Sequence, residues 1–106
     1  MAALEGNDPE RAALAQQKLA RLRRAFHFGL AARADDMELA SSAQQLYVFI
    51  HRLVGAAGAY GDLALHEQAS RLLTQLREED TAGLSASLVP ELQGLCAQCR
   101  ELAKQA

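Results

Sequence analysis

FIHRLVGAAGAYGDL, residues 49–63, decides how this chain folds, because it holds the middle of one helix and the signal that ends it. The stretch reads as helix except for three glycines, Gly55, Gly58 and Gly61, that follow His51. Each glycine costs about 1 kcal/mol against alanine in a helix interior, and alanine is the residue this chain uses most. Something must offset that cost at 55 and 58. Gly61-Asp62 reads differently, as a break followed by a restart, with Asp62 a suitable N-cap for the next helix.

Working outward, the apolar stripe through this helix is Ala43, Leu46, Ile50, Leu53, Ala57 and Tyr60, spaced by three and four. Asp35 with Glu38 three residues on predicts its start, as an aspartate version of the capping box. The helix after Asp62 buries Leu65, Ala69, Leu72 and Leu76 and ends in the charged run 77–80. A first helix is expected to begin after Asn7 or Asp8, with Pro9 at its first position. Its stripe is Ala12, Ala15, Leu19, Leu22, Phe26 and Leu30. A loop with Thr81, Gly83 and Ser85 leads to a last helix that starts near Ser85 to Val89, since Pro90 is tolerated only in a first turn. Its stripe is Leu88, Leu92, Leu95, Cys99 and Leu102. These patterns predict an all-α chain: an antiparallel, up-and-down four-helix bundle, with His51 midway along the second helix.

With 106 residues, half of them hydrophobic and 23% charged, the expectation is one soluble domain over residues 1–106. A net charge of −2 suggests no nucleic-acid partner. MAALEGNDPE has no signal-peptide pattern, and the apolar tract 46–65 is interrupted by His51, Arg52 and Asp62, so no membrane span is expected. Two cysteines without an export signal point to the cytoplasm. Cys96-Ala-Gln-Cys99 spells C-x-x-C but falls within a helix, where buried small hydrophobes are the better reading than redox chemistry.

At about 100° per residue, with Leu46 as zero, the buried stripe falls within about 40° and His51 lies about 140° away. Gly55 at about 180° and Gly58 at about 120° flank it on the following turns. Residues four apart are neighbours on a helix, so these glycines leave the imidazole open to another molecule. The alternative is that they allow a neighbouring helix to pack closely. Tyr47 at about 100° and Val54 at about 80° border the histidine. They either form part of a docking platform or pack as boundary residues.

His51-Arg52-Leu53-Val54-Gly55, then Gly61, Leu65 and Leu72, resembles the histidine-containing phosphotransfer (HPt) domain family, whose pattern is His-x-Leu-Lys-Gly, five residues, Gly and an apolar helix. The match covers residues 51–72, and the family fold is likewise a four-helix bundle. The resemblance implies that His51 is the phospho-acceptor, that Gly55 exposes it, and that Gly61 ends its helix. Where the family carries a lysine that would help neutralise a bound phosphoryl group, this chain has Val54. Arg71 and Arg77 on the next helix are the cationic candidates to replace it, with Gln68 and Gln75 as possible hydrogen-bond donors. The family often has a polar or basic group near the position of Arg77.

An imidazole titrates near pH ~6.5, so it is largely neutral in the cytoplasm and can act as a nucleophile. The expected role is to take a phosphoryl group from a phospho-aspartate of a receiver domain, or from a hybrid sensor histidine kinase, and pass it to a response regulator. There is no nucleotide loop, so the chain is expected to be a monomeric carrier without kinase activity or a cofactor of its own. Mg²⁺ is expected on the partner receiver. Two alternatives stand beside this. One is an HPt-like module that binds receivers without carrying phosphate, which Val54 favours. The other is a metal- or haem-binding bundle using His27, His51, His66 and the cysteines.

Overall fold

The computed structural model describes the backbone of residues 2–78 and 86–106, and the side chains of these from residue 8 onward. Five helical segments account for the described elements: α1 (Ala2–Phe28), α2 (Leu30–Glu38), α3 (Ala43–Ala59), α4 (Leu63–Glu78) and α5 (Leu88–Gln105). The loop residues Thr81, Gly83 and Ser85 lie outside the described residues. No helix among the described residues is long and apolar enough to cross a membrane.

Residues 57–62 build the turn that their sequence announces. The Asp62 N–H reaches the Ala57 carbonyl at 2.9 Å and the Gly61 N–H reaches that of Gly58 at 3.2 Å. This is a Schellman closure, and it needs its αL residue at Gly61, where φ is 75°. Asp62 then opens α4, its Oδ1 accepting from the Leu65 N–H at 3.2 Å. Contacts between Val54 and His66 and between Tyr47 and Arg77 show α3 and α4 running in opposite directions along each other.

The start of α3 differs from the expectation. Asp35 lies inside α2, and with Glu38 it grips Arg100 of α5 at 2.8 and 2.6 Å. Those hydrogen bonds hold the Glu38 carboxyl below its usual range. The N-cap of α3 is Ser42, whose Oγ accepts from the Gln45 N–H at 3.1 Å, while Gln45 Oε1 takes the Ser41 N–H. Ser-x-x-Gln carries the same capping signature as Asp-x-x-Glu. Asp35 and Glu38 are instead engaged by Arg100, 62 residues from Glu38 in sequence. His51 is therefore carried by the third helical segment instead of the second, since Gly29 interrupts the first long helix.

α2 packs on α3, α3 on α4, α4 on α5, and α5 back on α2, so these four enclose the core. Leu30, Ala34, Met37, Leu46, Ile50, Leu53, Ala57, Leu65, Ala69 and Leu95 lie within it. Cys96 and Cys99 are both buried, and burial pushes their thiols up to about 11 and about 12. At pH 8 such thiols hold less thiolate than a free cysteine by on the order of 100-fold at Cys96 and about 1000-fold at Cys99. Alkylation by iodoacetamide is expected to be slower by at least those factors in the folded chain, and to become fast in urea, which a mass-spectrometric time course measures.

α1 departs most from its sequence pattern. It runs from Ala2, so Pro9 lies inside it and not at its first position. Of the predicted stripe only Phe26 and Leu30 are buried, whereas Ala12, Ala15, Leu19 and Leu22 are exposed. The reason is length. At about 1.5 Å per residue, α1 is met near its C-terminal end by α5 and by the turn between α3 and α4, at Tyr60 and Asp62, and its N-terminal part extends past them.

Candidate functional site

His51 is exposed midway along α3, on the side opposite Leu46, Ile50, Leu53 and Ala57. The chain puts it there because the residues drawn into the core, Leu46, Ile50, Leu53 and Ala57, are spaced by three and four from one another and so claim the other side of the helix. One turn back, the Tyr47 ring stacks on the imidazole, centroids 6.0 Å apart and planes 22° from parallel. Arg77 of α4 crosses to the same tyrosine. Its Nε–H donates to Tyr47 Oη at 3.0 Å, and its guanidinium lies 5.7 Å from the ring centroid. A cation is thus tied to His51 through one aromatic side chain.

One turn forward, a Cβ added at Gly55 would meet nothing within 4 Å. No packing among the described residues requires glycine here. Gly58 has a different role from the one its spacing suggested. A Cβ there would stand 3.2 Å from His66 Nδ1. The missing side chain lets the His66 ring lie on the α3 backbone, where its Nδ1–H donates to the Val54 carbonyl at 3.0 Å. Since a carbonyl can only accept, that bond sets the proton on Nδ1. Gly58 therefore serves helix packing, and the clearance beside His51 comes from Gly55.

Val54 is half-buried and packs on the core, whereas Val48, 39% exposed, stands free on the outer surface. Arg71 does not join the site. His66, Ser70 and Arg77 share one ridge of α4, and Arg71 lies about 120° round from its centre. It lines the α4–α5 groove with Gln68, Leu72, Gln75, Glu91 and Gly94. Gln75 is likewise turned to α5, donating to Glu91 at 3.0 Å. The cationic and amide candidates on α4 are thus divided, with Arg77 towards His51 and the others towards α5.

The other two histidines are elsewhere and engaged. His27 Nε2–H donates to Asp62 Oδ2 at 2.7 Å, beside Phe26, which stacks on Tyr60 at 5.1 Å. Arg23 Nε–H donates to the Tyr60 carbonyl at 2.7 Å. This three-residue clamp of α1 on the α3–α4 turn was not legible in sequence, because its partners are 35 and 37 residues apart. Among the described residues no three His, Cys, Asp or Glu side chains converge as metal ligands. Compared with known proteins, the chain matches no family model, no curated protein and no solved structure.

Proposed function

We propose that this chain is a histidine phosphotransfer module of a two-component phosphorelay, acting in the cytoplasm, with His51 as the phospho-acceptor. In this reading the bundle is antiparallel and up-and-down, with α1 and α2 together forming one stave. A ring nitrogen of His51 attacks the phosphorus of an aspartyl phosphate on a receiver domain, or accepts the group from a hybrid histidine kinase. The P–N bond forms as the P–O bond to the aspartate breaks. The electron pair leaves with the carboxylate, and the proton on the other ring nitrogen remains there until solvent takes it. The reverse step on a second receiver returns the group to oxygen.

The observation that carries this reading is Gly55. It costs helix stability and fills no steric need among the described residues, so its benefit lies in what approaches the neighbouring histidine. Val48, Tyr47, Val54 and Gly55 would form the smooth ground on which a receiver sits. Arg77 would supply positive charge in place of the lysine that Val54 replaces, and Mg²⁺ would come with the receiver. The same Val54, packed on the core, is what favours the alternative of a module that binds receivers without carrying phosphate.

Incubation with a phosphorylated receiver and Mg²⁺ separates the two. Acid-labile, alkali-stable label on this chain supports transfer, and saturable receiver binding without label supports the binding module. Gly55→Ala is expected to raise stability by about 0.5–1 kcal/mol, seen as a melting temperature several degrees higher, while slowing transfer from the receiver. A stabilised variant with unchanged transfer kinetics would remove the argument from Gly55.

A further inference from the structure

α1 reaches beyond the bundle it enters. The molecule is 61 Å long and 27 Å across, and every side chain from residue 8 to residue 22 is exposed. Along that exposed length one line of apolar residues recurs by three and four, Ala12, Ala15, Leu19 and Leu22, and continues to Phe26, while Ala13, Leu14 and Ala20 lie off it. This is the a/d spacing of a coiled-coil seam. Leu19 and Leu22 are 42% and 47% exposed, and Phe26 is 7% exposed, so the seam runs from open solvent into the core without a break. Where it enters, Leu22, Ala25, Phe26, Gly29, Arg33 and Tyr60 line a cleft of about 260 Å³.

The flanks say what would cover it. Arg11 and Lys18 fall at g positions, and Gln16 and Arg23 at e positions. Arg23 is held in place by its bond to the Tyr60 carbonyl. These flanking positions carry three basic residues and no acidic one between residues 11 and 23. A second copy would set basic flank against basic flank in either orientation, because parallel pairs join g to e and antiparallel pairs join like positions. An anionic membrane is a poorer match. Two leucines and two alanines make a narrow seam, without the broad apolar face or aromatic wedge of an interfacial helix.

We propose that residues 11–23 of α1 form a docking seam for a partner helix with apolar residues at a and d and Glu or Asp on both flanks. This does not depend on the role of His51. It is tested with a fluorescein-labelled three-heptad peptide carrying Leu at a and d and Glu at e and g, whose own charges oppose self-association at pH 7. Titration with the full chain is expected to give saturable anisotropy that weakens as salt is raised. Leu19→Ala with Leu22→Ala, and separately Arg11→Glu with Lys18→Glu, should each weaken binding by about tenfold or more. The charge-reversed chain should instead take the matching peptide with Lys at e and g.

These side chains are exposed, so both variants should melt like the parent, and that control is run alongside. The proposal is overturned if the Glu peptide does not bind, or if binding ignores both double variants. It is equally overturned if sedimentation shows the chain pairing with itself through Leu19 and Leu22. Binding to phosphatidylglycerol–phosphatidylcholine vesicles through these residues, with none to the peptide, would also overturn it.

Discussion

His51→Gln is expected to abolish phosphoryl labelling while leaving the fold intact. Glutamine keeps a polar side chain at the position but has no ring nitrogen with a free lone pair, so no P–N bond can form. The loss should be complete and not partial, because transfer through a covalent intermediate has no route around its nucleophile. Its stability should change by less than about 0.5 kcal/mol, since His51 is exposed and the imidazole gives up little beyond its stacking on Tyr47. Receiver binding should persist, which distinguishes loss of the acceptor from loss of the docking surface. Arg77→Gln should slow transfer without removing the label, because the nucleophile remains and only charge beside it is withdrawn. Label that survives His51→Gln would place the acceptor elsewhere and end the HPt reading.

Leu53→Ala, two residues away and on the opposite side of α3, should have the reverse effect. Leu53 is fully buried in the core that α2, α3, α4 and α5 share. Removing its side chain forfeits transfer energy and leaves a cavity that the helices close only in part, about 2–5 kcal/mol in sum. A domain of this size has about 5–15 kcal/mol in all, so a large share of its stability would go. Urea denaturation should show a lower midpoint at unchanged slope. Transfer per folded molecule should hold near the parent value, since the outward face of α3 is unaltered. A midpoint unchanged within error would mean that Leu53 does not sit in the core as described.

The contrast between positions 51 and 53 explains why part of this molecule was legible in sequence. Which side of α3 faces inward depends on residues within two turns of each other, and helical periodicity makes that a local property. The closure at Gly61 and Asp62 is local in the same way, as its hydrogen bonds span five residues or fewer. The inward faces of α4 and α5 follow the same rule, with Leu65, Ala69, Leu72 and Leu76, and Leu88, Leu95 and Cys99, buried where their spacing put them.

The errors arose where a distant residue made the choice. Asp35 was expected to cap the helix that carries His51, but it and Glu38 are held by Arg100 and the cap is Ser42. Gly58 looked like clearance for His51 until α4 laid His66 against it. Arg71 and Arg77 were both candidates, with Arg77 favoured only by the resemblance, until the facing of α4 set Arg77 on Tyr47 and Arg71 in the groove beside α5.

By itself, then, the sequence determined helix, inward face and the outward direction of His51, because backbone propensity and amphipathic spacing act within a few turns. Only the tertiary structure decided which polar groups meet, and which apolar stripe finds a partner. Ala12, Ala15, Leu19 and Leu22 have the spacing of a core and are nonetheless left in solvent. Burial depends on another helix being long enough to reach, and no pattern within α1 can specify that.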